Sequence, residues 1–154
     1  LDSIIVLPPE RAAAMKSSRP SSRFAVFSED LEDAISRFRL MPPQPCAKDF
    51  VLRNVAKNSY KQTEEGWTLK ADPLIPKTYE YNDLHDIFMK AQIDIEVVYG
   101  GSSQLYTKEV LDYMIYVGNL DPAKVHKLDG AMHHLFLDMP EEFIELINKI
   151  LKDD

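Results

Sequence analysis

The 154 residues carry 18 Lys and Arg against 25 Asp and Glu, a formal charge of −7, with 45% hydrophobic and 10% aromatic content. That apolar fraction excludes a disordered chain and matches the packed core of one domain, while the acidic balance argues against a surface that holds nucleic acid or anionic lipid by charge. No apolar run approaches the roughly 20 residues of a membrane helix, and the single Cys46 excludes an internal disulfide or a multi-cysteine zinc site, so a soluble, cytoplasmic protein is expected.

The chain opens with Leu1-Asp2-Ser3-Ile4-Ile5-Val6-Leu7, has no initiating Met, and turns at Pro8-Pro9; it reads as the interior of something longer. Met15 to Ser22, rich in Ser and Arg with one Pro, is expected to be a loop. Ser28 is placed to cap a helix carrying Leu31, Ala34, Ile35 and Phe38 on one side, stopped by Met41-Pro42-Pro43-Gln44-Pro45. A second helix is expected over Lys48 to Asn58 with Phe50, Val51, Leu52 and Val55 inward. Gly66 to Lys70 reads as a short extended piece ended by Asp72-Pro73, and Tyr81 to Ala91 as a helix with Leu84, Ile87, Phe88 and Ala91 on one face.

From Gln92 the pattern changes. Ile93 to Tyr99 begins as an alternating strand and becomes continuously apolar, and Gly100-Gly101 ends it. Thr107 caps a helix with Val110, Leu111, Met114, Ile115 and Val117 inward, closed by Gly118-Asn119. Asp121-Pro122 makes a turn, Lys124 to Leu128 a short strand, and Asp129 to Met139 a loop. Pro140 then starts a helix whose buried stripe is Phe143, Ile144, Ile147, Ile150 and Leu151. A strand-helix-strand-helix order predicts an α/β fold with parallel strands and a right-handed crossover.

The loop after the last strand reads Gly130-Ala131-Met132-His133-His134-Leu135-Phe136-Leu137-Asp138-Met139-Pro140-Glu141-Glu142-Phe143. This stretch resembles the histidine loop of the α/β-hydrolases. Val98-Tyr99-Gly100-Gly101-Ser102-Ser103, Arg37-Phe38-Arg39-Leu40 and Gly66-Trp67 through Lys70-Ala71-Asp72-Pro73 resemble the late strands and cap of a subgroup of that family. The resemblance implies a partial α/β-hydrolase fold: residues 1–10 as the end of a core strand and the cap entry, 11–91 as a mostly helical cap, and 92–154 as the carboxyl-terminal core.

By the same resemblance His133 matches the catalytic general base, a role that suits imidazole because its pKa lies near working pH. His134 is the lesser candidate, since neighbouring loop side chains seldom point the same way. Most relatives place the orienting acid after the strand that ends here in Gly100-Gly101-Ser102-Ser103, where this chain has none. A smaller set places it one strand earlier, which makes Asp2 the candidate acid, with a turn cap as its bland alternative. Asp138 is expected to cap the helix begun at Pro140. The family's Gly-x-Ser-x-Gly elbow is missing from the sequence, and Ser102 and Ser103 read as turn residues, so the serine is expected outside this chain.

Trp67, Phe88 and Met89 are candidate substrate-pocket residues, with simple packing as the alternative. His85 and His126 lack partners at ligand spacing, so neither a metal nor another cofactor is expected, and Cys46, with no base near it in sequence, reads as an inert thiol. The implied activity is hydrolysis of an ester or related small apolar molecule. The competing reading is a non-catalytic binding or interaction module on the same scaffold. The expected partners are a small-molecule substrate and a missing amino-terminal half, or a second copy joined through an exposed sheet edge.

Overall fold

Alternation along one strand organises the larger of two compact units. In β3 (Val97–Gly100) Val97 and Tyr99 face one way and Val98 and Gly100 the other, and both faces are covered. The computed structural model describes residues 4–17, 26–72, 84–91 and 93–153. Its units are residues 1–15 with 81–154, and residues 16–80.

In the first unit β3 pairs in parallel with β4 (Val125–Leu128), register Val97↔Val125 to Gly100↔Leu128. The connection is α5 (Lys108–Gly118), where Thr107 Oγ1 accepts the Val110 amide and Asn119, left-handed at φ 46°, closes the last turn. Val110, Met114 and Val117 are buried with Val97, Val6, Leu7 and Tyr106 on one side of the sheet. The strand begins at Val97 rather than Ile93, and the residues ahead of it include Asp94 and Glu96, which pair with Lys124.

Helix α4 (His85–Lys90) buries Phe88 in this core. Its ring occupies the space that a side chain on Gly118 would need, with ring carbons 2.6 Å from where a Cβ would stand. Ile87, expected on the same face, is exposed, and Tyr81 to Asp83 lie outside the described residues. Helix α1 (Pro9–Ser17) runs through Met15, Lys16 and Ser17, where the composition predicted a loop.

The other side of the sheet is covered by α6 (Leu135–Asp138) and α7 (Pro140–Asp153). The stripe that packs on Val98, Ala131 and Leu135 is Phe143, Leu146, Ile147 and Ile150. Ile144 and Leu151, expected in it, are exposed. They stand seven residues apart and share a row about 100° from Phe143 and Ile150, so the seam follows i, i+3, i+4, i+7 without them.

The second unit holds α2 (Leu31–Arg37), α3 (Asp49–Ser59) and an antiparallel hairpin, β1 (Tyr60–Thr63) with β2 (Gly66–Leu69). Asp30 rather than Ser28 caps α2, its carboxylate accepting the Asp33 amide at 2.8 Å. Ser28 is instead in a bridge to Trp67, each amide donating to the other's carbonyl at 2.8 Å. Phe50, expected inward on α3, is exposed, and Ala56 is the buried residue of that helix. Among the described residues no helix is long and apolar enough to cross a membrane.

The two ends of the parallel pair differ chemically. At the amino ends, Lys124 bonds Asp94 and lies 3.5 Å from Glu96, and His126 Nε2 is 2.5 Å from Glu96 Oε2. The hydrogen bond from Lys124 holds the Asp94 carboxyl below its usual range. A lowered folded value means that Asp94 contributes stability above the ordinary carboxylate pKa and loses it as pH falls through the lowered one. In Lys124→Met, Asp94 therefore titrates at higher pH than in the parent, as read by carboxyl ¹³C NMR; an unmoved titration contradicts the pairing.

At the carboxyl ends, a Cβ on Gly100 would stand 2.4 Å from the carbonyl oxygens of both Ala131 and Met132, whereas one on Gly101 meets nothing closer than 3.3 Å. Gly100→Ala should destabilise by about 1–3 kcal/mol and Gly101→Ala by less, measured by denaturant unfolding of the folded protein. Equal costs at the two positions would contradict the close approach.

Candidate active site

The carboxyl ends of β3 and β4 carry two loops, residues 101–106 and 129–134, which are bonded to each other through the main chain. The Gly101 amide donates to Leu128 O at 2.9 Å, and the Ser102 amide to Ala131 O at 2.9 Å. The Ala131 amide returns to Leu128 O at 3.2 Å. Ser103 closes its own turn, its amide on Gly100 O at 3.0 Å and its hydroxyl accepting the Leu105 amide at 3.2 Å. Ser102 and Ser103 are thus turn residues in the structure as in the sequence reading.

His133 follows in the second loop, just before the start of α6. It is half-buried, and its ring centroid is 4.6 Å from that of His134 with the planes tilted by 56°. His134 also meets Phe136 edge-on at 6.4 Å. A partly exposed imidazole at the carboxyl edge of a parallel sheet is well placed for proton transfer with a group bound there, the position at which such sheets collect ligands.

The nearby carboxylates have other partners. Asp129 pairs with Lys127 at 2.7 Å, and that hydrogen bond raises the Lys127 pKa. Asp138 does not serve as the cap of α7: its Oδ2 accepts the Met132 amide at 2.6 Å. The loop curls back over six residues and presents that amide to the carboxylate. Neither this bond nor the seat on Gly100 was anticipated. The doubled glycine after an apolar strand is the one sequence signal that pointed toward a close backbone approach here.

Asp2, the candidate orienting acid, lies outside the described residues. Trp67 is half-buried in β2 of the second unit. Phe88 is buried at 5% exposure against Gly118, and Met89 beside it on α4 is 53% exposed. His85 Nδ1 lies 3.0 Å from the Tyr113 hydroxyl, and His126 Nε2 faces Glu96 at the opposite strand ends. Among the described residues no three His, Cys, Asp or Glu side chains group as metal ligands.

No family model and no curated protein matches the sequence. Solved structures do. An E-2-(acetamidomethylene)succinate hydrolase aligns over 94% of this chain at TM-score 0.68 and 17% identity. A protein from Rickettsia typhi assigned as a hydrolase aligns over 93% at TM-score 0.68 and 25% identity. A Mycobacterium tuberculosis esterase aligns over 93% at TM-score 0.62 and 20% identity. The chain spans about half the length of the structures it matches, 53%, 50% and 47% respectively. Helices on both faces of a parallel pair and these alignments agree: over most of its length the chain is related in fold to the α/β-hydrolases.

Proposed function

We propose that this chain supplies the general base and the lid of an α/β-hydrolase acting on an ester or related small apolar substrate. One observation carries the reading: His133 sits on the loop after β4, at the carboxyl edge of the parallel pair, and that loop is fastened to the loop after β3. A hydrolase, a protein assigned as one, and an esterase of this fold, each about twice as long, support it.

In this reading a serine outside the 154 residues attacks the substrate carbonyl while His133 takes its proton. The imidazolium returns that proton to the leaving alcohol, and the neutral ring then activates the water that frees the enzyme. Asp2 is the acid that orients the ring. Met89 offers apolar surface to the acyl group, and Phe88 anchors the helix that carries it. The strands that complete the sheet beside β3 and β4 would come with the serine. A small-molecule substrate and a cytoplasmic setting fit the same reading.

A second reading rests on a specific feature: the loop after β3 carries Ser102 and Ser103 where many relatives hold the acid. On that reading the scaffold binds without catalysing.

The two separate on one experiment, using the protein in which this chain and the nucleophile occur together. It should be labelled by a fluorophosphonate and hydrolyse a p-nitrophenyl ester, and His133→Ala should lower kcat about a thousandfold or more while His134→Ala keeps most of it. Unchanged hydrolysis in His133→Ala overturns the base assignment. Absence of any labelling in the parent favours the binding module.

A further inference from the structure

Met132 and His134 flank the proposed base, and both are tied to one residue. Asp138 Oδ2 accepts the Met132 amide at 2.6 Å, and the Asp138 amide donates to His134 O at 3.0 Å. Asp138 therefore brackets His133 on both sides, closing a ring of main chain with the histidine between its two fastenings.

The first of these bonds is charge-assisted and half-buried, the class of hydrogen bond that contributes most to local geometry. The second is reinforced by neighbours, since the Leu137 amide shares His134 O at 2.9 Å. The carboxylate is thus the replaceable half of the clasp and its side-chain tie to the loop's ascending limb. Further up that limb, Ala131 is held from the other side by the Ser102 amide. Without the clasp, Met132 would pivot between a fixed Ala131 and a displaced His133.

We propose that Asp138 is a positioning residue for His133, acting through the Met132 amide rather than as the orienting acid of the imidazole. The inference rests on His133 being the base. A shift of the ring by about 1 Å costs on the order of a hundredfold in rate, so a lost clasp registers in the chemical step. Substrate binding, which involves other surfaces, changes little.

Asp138→Ala, Asp138→Asn and His133→Ala are compared in the protein that holds the nucleophile, with a p-nitrophenyl ester as substrate and amide exchange at Met132 followed by NMR. In Asp138→Ala, Met132 exchange should accelerate about tenfold, the equivalent of one lost hydrogen bond. Its kcat should fall on the order of a hundredfold with KM within about twofold. Asp138→Asn keeps an acceptor oxygen without charge and should restore kcat to within about fivefold of the parent. If Asp138→Ala does not fold, Asp138→Ser, too short to span the same gap, reads the same loss. Parent-like kcat in the truncated variant overturns the proposal, as does an Asn variant as slow as Ala, which would make charge rather than the clasp the cause. His133→Ala separates this from the base assignment: full activity there removes both, whereas a dead His133→Ala beside a fully active Asp138→Ala removes only the positioning role.

Discussion

The candidate site depends on one steric constraint, the approach of the Ala131 and Met132 carbonyls to the backbone of Gly100. Oxygens that would lie 2.4 Å from any Cβ leave no choice of residue at the end of β3. Because Gly100 accepts them, the loop after β4 lies directly on the loop after β3, and Ser102 bonds Ala131 where the two touch. The histidine two residues further on inherits its place from that seat. A side chain at position 100 would push away the whole limb, which is why a backbone contact, with no chemistry of its own, governs where the imidazole sits.

The parallel pair has a division of labour between its ends. At the amino ends, Asp94, Glu96 and Lys124 form a partly exposed ion cluster, with His126 Nε2 against Glu96, that pins the strands' entry with side chains. Solvent-accessible ion pairs of this kind contribute little stability each and are screened by salt. At the carboxyl ends the ties are main-chain bonds and the Asp138 clasp, which fix geometry more tightly and leave the histidines partly exposed. Between them, Val98, Leu135, Phe143 and Ile147 form the apolar layer that α7 closes. Such a layer keeps the site's floor rigid without using any polar group that proton transfer would need.

Much of this was legible in the residues, and the failures share a cause. Thr107, the Gly118-Asn119 stop, the Gly100-Gly101 strand end and Pro140 at a helix start are local signals, decided within one turn of chain, and each appears in the structure as read. The residue order from Gly130 to Phe143 is what carries the resemblance to the family. What was not legible is decided at a distance. Ser28 has good capping chemistry, but its backbone is taken by Trp67, so Asp30 caps the helix. Tyr60 to Thr63 has no apolar alternation and is a strand only because Gly66 to Leu69 folds back on it. Asp138 has good capping chemistry, but it is the last residue of α6 and its carboxylate goes to an amide that the loop returns to it. The row on α7 that faces the sheet was misjudged by one residue at Ile144 and Leu151, because composition alone does not set the phase of a stripe.

The central claim is that this loop delivers His133, and not His134, to a nucleophile at the carboxyl edge of the sheet. A crystal structure of the phosphonylated protein tests it most directly, since the adduct marks the reacting atom. The account predicts a His133 ring nitrogen within about 3.2 Å of the modified serine oxygen or a phosphonyl oxygen, with the Met132 amide still on Asp138. An adduct approached by His134, or by neither histidine, would contradict it.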